Sequence, residues 1–151
     1  MHKEYRYTEC GLDNIVIVGV DFLTADDGEK VLVIPAINQL HALIAEGIIR
    51  RSGRMSGKEL RFLRTEMGLT QKNLAELLHR DAQSIARWEK GEVEIDGNAD
   101  TFVRLLAEER LGLRGAGGVE ATSRRSARAK GDPIIRIRAE EDGHYELMDA
   151  A

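Results

Sequence analysis

With 151 residues and a net charge of −4, the chain has room for one domain, or one small domain with appendages. Apolar residues make up 42% and charged residues 32%, an ordinary globular balance, and aromatics at 5% leave the core to aliphatic side chains. The lone Cys10 excludes an intrachain disulfide, no apolar run reaches bilayer-spanning length, and the polar start Met1-His2-Lys3-Glu4-Tyr5 is not a signal segment, so a cytoplasmic protein with no membrane partner is expected.

In chain order, residues 15–20 (Ile-Val-Ile-Val-Gly-Val) and 30–34 (Lys-Val-Leu-Val-Ile) are β-branched runs around the turn segment Thr24-Ala25-Asp26-Asp27-Gly28-Glu29, which predicts a hairpin. Pro35 ends the second strand. Ile37, Leu40, Leu43, Ile44 and Ile48 then recur at helical spacing, predicting an amphipathic helix over 37–50 that covers the hairpin. A basic connector, Arg50-Arg51-Ser52-Gly53-Arg54, follows; it reads as a solvated link or as an arm touching phosphates. Ser56 stands three residues before Glu59, a capping-box spacing, and opens a helix with Leu60, Leu63 and Met67 on one face and Gly68 at its end. Thr70 caps a second helix with Leu74, Leu77 and Leu78 inward, and Asp81 caps a third with Ile85 and Trp88 inward, closed by Gly91. After a polar loop, Phe102, Val103, Leu106 and Leu111 suggest a fourth helix ending at Gly112. Residues 113–131 lack apolar periodicity and read as a flexible linker, its Arg124, Arg125, Arg128 and Lys130 included. Residues 134–138 and 144–148 read as a final hairpin around Glu141-Asp142-Gly143.

The expected fold class is therefore α+β. A small α+β module spans 1–55, a helical domain 56–112, a linker 113–131 and a C-terminal hairpin 132–151. Charge is segregated along this order: residues 1–49 carry 3 basic and 8 acidic side chains, whereas residues 50–90 carry 10 basic and 5 acidic. A polyanion responds to that local excess and not to the overall sign.

The most informative stretch is residues 69–91. It is two short capped helices joined by a tight turn, with Ala75 small where the helices approach and Leu74, Leu78, Ile85 and Trp88 forming a shared core. The outward residues of the second helix, Ala82, Gln83, Ser84, Ala86, Arg87 and Lys90, are short, amide-bearing or cationic, and such a face fits a major groove about 12 Å wide. From its Leu69-Thr70-Gln71 opening to its Trp88-Glu89-Lys90-Gly91 close, the segment resembles the lambda-repressor-like (Xre family) helix-turn-helix, and the likeness extends over about residues 56–112. The resemblance implies a repressor that binds an inverted-repeat operator in double-stranded DNA as a homodimer.

It further implies that Gln71 lies against a phosphate and that Arg64 pairs with Glu89 across the domain. With Arg80 of the basic 80–90 face, the expected DNA-contacting set is Gln71, Arg80, Ala82, Gln83, Ser84, Arg87 and Lys90. One departure stands in the turn, where His79 replaces the usual glycine at a position that often needs a positive φ.

A narrower likeness, from Pro35, Leu40, His41, Ile44 and Ala45 into Glu59-Leu60-Arg61-Phe62-Leu63-Arg64, is to MqsA-like antitoxins. It implies an autoregulating antitoxin with a toxin partner. Classical members hold zinc with four cysteines, whereas this chain has only Cys10, so no zinc and no other cofactor is expected. His2, His41 and His144 have no recognisable partners, and His41 reads as structural. No nucleophile elbow, Walker loop or cysteine–histidine set is present, so no enzyme is expected. The rival reading is a protein-interaction adaptor, its acidic N-terminal module binding a partner and its helical domain serving dimerisation only.

Overall fold

The structure, a computed structural model, describes residues 3–114, 117–127 and 132–148. His2, Arg128 and Lys130 lie outside the described residues. The chain divides into two compact units, Met1–Ile44 with Asp132–Ala151, and Ala45–Gly131.

In the first unit, strand β2 (Ile15–Val18) is buried along its whole length. An unbroken aliphatic run needs cover on both faces and partners on both edges. It has β1 (Glu4–Arg6) antiparallel on one edge, with Tyr5 opposite Ile17. On the other edge lies β5 (Ile135–Ala139), parallel, with Ile15 opposite Ile135 and Ile17 opposite Ile137. Strand β6 (Tyr145–Leu147) extends β5 as the expected C-terminal hairpin, giving the order β1-β2-β5-β6.

The expected hairpin of residues 15–20 with 30–34 is corrected. The chain leaves β2 at Gly19, whose φ is +86°, and begins a new strand, β3 (Asp21–Thr24). It is β3 that pairs with β4 (Lys30–Val33), in a separate two-stranded sheet around the anticipated turn. Gly19 makes the break possible, because a Cβ there would stand 2.8 Å from the Ala139 carbonyl oxygen at the end of β5.

Helix α1 (Ile37–Arg50) has the predicted bounds, and the division between units falls within it. His41 on α1 meets the hydroxyl of buried Tyr7 at 2.9 Å through Nε2.

The second unit holds α2 (Gly57–Glu66), α3 (Gln71–Leu78), α4 (Ala82–Glu89), α5 (Gly97–Leu111) and α6 (Gly118–Arg125). Ser56 and Glu59 form the expected capping box of α2, and Gly112, in the left-handed region, stops α5. Leu60, Leu63, Leu74, Ile85, Val103 and Ala107 are fully buried. Leu77, expected inward, is 38% exposed, as is Phe102. Leu74 already supplies the buried contact of α3, whose eight residues give only a narrow inner face.

Helix α6 occupies the stretch read as a flexible linker. It docks through polar groups, which leave no apolar periodicity to find. The Arg125 carbonyl accepts from the Gly53 amide at 2.8 Å, the Ser126 carbonyl accepts from Arg54 Nε at 2.7 Å, and Thr101 donates to the Ser126 hydroxyl at 3.0 Å. Arg51 and Arg54 are likewise neither solvated nor free. Arg51 donates to the buried Glu59 carboxylate at 2.6 Å, and Arg54 also donates to the Ile95 carbonyl at 2.8 Å.

The connector itself is held by a buried ion. Arg104 and Asp100, one helical turn apart on α5, are 1% and 0% exposed. Arg104 Nε donates to Asp100 at 2.6 Å, and its remaining nitrogens donate to the carbonyls of Ile49, Arg51 and Gly53. The second Asp100 oxygen accepts from the Met55 amide at 2.7 Å. Among the described residues, no helix is long and apolar enough to cross a membrane.

Arg104→Ala is expected to strand the Asp100 charge and the carbonyls of Ile49, Arg51 and Gly53 and to cost about 3–5 kcal/mol. Urea unfolding measures this, and an unchanged midpoint would contradict the assignment.

Candidate nucleic-acid interface

The site is built from α3, the turn after it, and α4. Thr70 Oγ1 accepts from the Asn73 amide at 3.0 Å, which starts α3. His79 ends it in the left-handed region, with φ 56° and ψ 42°, and the Arg80 amide then donates back to the Ala75 carbonyl at 2.9 Å. This is a Schellman-type closure that glycine makes at lower cost. Asp81 caps α4 by accepting from the Ser84 amide at 2.8 Å and from its hydroxyl at 3.1 Å. Those two bonds, the amide first, hold the Asp81 carboxyl below its ordinary pKa.

Ile85 and Trp88 turn α4 inward against Leu74 and Ala75, all four of them buried. Its other face is open: Ala82, Gln83, Arg87 and Lys90 are exposed, with Ser84 and Ala86 half-buried. The Ser84 hydroxyl is already occupied by the Asp81 cap.

Both ends of α4 are tied to other helices. At the C-terminal end, Arg64 of α2 grips Glu89 with two bonds, Nε to Oε2 at 2.6 Å and a terminal nitrogen to Oε1 at 3.0 Å. The third nitrogen of Arg64 donates to the Leu69 carbonyl at 2.9 Å, and Gln71 Nε2 adds a bond to Glu89 Oε1 at 3.1 Å. Arg64 and Glu89 side chains are only 15% and 5% exposed, so bidentate geometry fixes orientation here as well as charge. Gln71, expected against a phosphate, is half-buried and has one amide hydrogen engaged within the protein.

Gly57, the first residue of α2, lies against the end of the same helix. A Cβ there would collide with the carbonyl oxygens of Trp88 and Glu89, the latter 2.7 Å away. At the N-terminal end, Arg80 pairs with Asp96 at 2.6 Å and lies over the Trp88 ring, 5.4 Å from its centroid.

Sequence reasoning missed Gly57 and Asp96. Asp96 stood in what was read as a polar loop, although Asp followed by Gly-Asn before an apolar run is an N-cap signal: it accepts from the Ala99 amide at 2.9 Å and opens α5. No sequence signal marks Gly57, since its constraint comes from a helix distant in the chain.

Two outcomes are expected. Glu89→Ala removes the partner of Arg64 and a bond of Gln71. With Arg64 still reaching some water, the loss falls toward the lower end of the about 3–5 kcal/mol for a broken buried pair, and an unshifted melting temperature would refute it. His79→Gly relieves the left-handed turn and raises stability by up to about 1 kcal/mol, part of the gain being offset by the freer unfolded chain. Calorimetry on the two proteins reads that sign directly.

Among the described residues, no group of three or more His, Cys, Asp or Glu is placed to hold a metal ion. No curated protein and no solved structure matches the chain. The family described as Helix-turn-helix matches residues 60–98, from the first turns of α2 to the start of α5. That range contains both capped helices, the turn at His79 and the open face of α4, and on these grounds the chain carries a lambda-repressor-like (Xre family) helix-turn-helix domain, a domain of DNA-binding transcription regulation.

Proposed function

We propose that the protein is a sequence-specific repressor that binds an inverted-repeat operator in double-stranded DNA as a homodimer, with α4 in the major groove. The observation that carries the reading is the open face of α4. Gln83 and Arg87 are exposed one turn apart, flanked by the short side chains of Ala82 and Ala86, and Lys90 follows at the helix end. Arg and Gln are suited to bidentate bonds with guanine and adenine edges, and a small residue leaves room for a thymine methyl. Lys90 and Gln71 suit phosphates, which position a protein without reading sequence. Gln71 keeps a second amide hydrogen for that role beside its bond to Glu89. Ser84, half-buried and bonded to Asp81, is the weakest member of the expected set.

The dimer follows from the two-fold logic of such domains, with half-site centres about one helical turn or a multiple apart. The reading places the protein in the cytoplasm. Selection from random duplexes tests it most directly: a folded, dimeric protein that enriches no sequence would favour the adaptor role instead. The autoregulating antitoxin role rests on the narrower likeness from Pro35 to Arg64. It requires that the product of an adjacent reading frame co-purify with the chain and lose its toxicity in its presence.

Gln83→Ala and Arg87→Ala are expected to relax base preference as well as weaken binding, each by about 1–3 kcal/mol of discrimination. Gln71→Ala is expected to weaken all sequences alike. Competition between cognate and single-base-changed duplexes measures both, and a Gln83→Ala protein with intact preference would mean that another face does the reading.

A further inference from the structure

The default role of an exposed arginine beside a reading helix is a phosphate contact, and the sequence placed Arg80 in the DNA-contacting set. Its surroundings are those of a different part. Residue 80 sits where three helices meet. Its amide closes α3 on the Ala75 carbonyl, the next residue caps α4, and its guanidinium reaches the cap of α5. The Asp96 carboxylate is divided between two tasks: Oδ1 accepts from the Ala99 amide that starts α5, and Oδ2 accepts from Arg80. Burial alone would raise the Asp96 carboxyl, but the Ala99 amide and Arg80 together hold it below its ordinary value, so the carboxylate stays ionised at neutral pH. The guanidinium also lies over Trp88, the residue that seats α4 in the core. Arg64 with Glu89 fixes one end of α4 to α2, and Arg80 with Asp96 ties the other end to α5.

We propose that Arg80 is a positioning residue for DNA reading, acting through Asp96 beside the N-terminal end of α4 and through Trp88 in its last turn, and that it neutralises no phosphate. This rests on the reading of α4 as the recognition helix. A side chain that left Asp96 for DNA would abandon a cap-linked carboxylate next to a polyanion. One that stays put holds the first turn of α4, where Ala82 and Gln83 lie.

The test compares wild type, Arg80→Met, Asp96→Asn and the double variant on the selected operator and on a random duplex, over a range of salt concentrations. Asn keeps the capping oxygen for Ala99 and removes only the charge, so this arm stands even where Arg80→Met folds poorly. Each single variant is expected to weaken operator binding by about tenfold, and the double variant by no more than either, as coupled partners do. Random-duplex binding and the slope of log affinity against log salt are expected to stay as in wild type. A phosphate contact would behave differently: Arg80→Met would lower that slope by about 1 and weaken both duplexes alike, and Asp96→Asn would tighten binding. Either of those results overturns the proposal, and so does operator affinity unchanged in all three variants. A wild-type protein that selects no operator would instead strike the DNA-binding reading itself.

Discussion

A guanidinium cut off from water must be given its acceptors by the protein, and the second unit is arranged around meeting that demand at Arg104. Helix α1 ends at Arg50 and the backbone from there to α2 is not helical, so the carbonyls of Ile49 in its last turn and of Arg51 and Gly53 beyond it have no ladder to join. Buried without donors they would be costly. Arg104 answers all three and sets its own charge against Asp100, whose free oxygen takes the Met55 amide. Buried ion pairs give little net stability after desolvation. The consequence of this one is geometric: α2 begins where the connector held by Arg104 delivers it, and the placement of Arg51 on Glu59 and of Arg54 on Ser126 follows.

From that starting point the order of dependence runs outward to α4. Once α2 is placed, Gly57 lets the carbonyl end of α4 rest directly on it, and Arg64 supplies the matching charge. A helix of eight residues has little stability of its own. Its direction is set by what holds its ends, and with caps and ion pairs at both termini the outward face is presented before any ligand arrives. Preorganisation of this kind lowers the ordering cost of binding.

What the sequence revealed is what local chemistry decides. The caps at Ser56, Thr70 and Asp81, the stop at Gly112, the bounds of α1 and the turn at Glu141-Asp142-Gly143 depend on residues a few positions apart. The Arg64–Glu89 contact was reached through family likeness, since nothing in the spacing of those two residues announces it. Long-range facts were hidden. Strand β2 looked like half of a hairpin because its β-branched neighbour in sequence was the obvious partner, while its true neighbour, β5, lies at the other end of the chain. Helix α6 was invisible because the Arg125 carbonyl and Ser126 dock it by hydrogen bonds. Arg51 and Arg54 looked like a solvated cluster because their acceptors come from α2, the loop before α5, and α6. Arg104 carried a faint signal, standing between Val103 and Ala107 on the buried side of α5, a place no surface arginine takes.

The parallel pairing of β2 with β5 makes the helical unit an insertion within the chain of the first unit. The order of events during synthesis follows from this. Every residue of the helical unit leaves the ribosome before β5 does, so that unit can assemble while the first sheet is still short of two strands. Until β5 and β6 emerge, the aliphatic run Ile15-Val16-Ile17-Val18 offers an unpaired edge, the kind of surface on which nascent chains associate. Closing the sheet then means bringing together strands more than a hundred residues apart in sequence, which carries an entropic cost. Damage to the last strands would therefore fall on the sheet, and would leave the helical unit the means to fold.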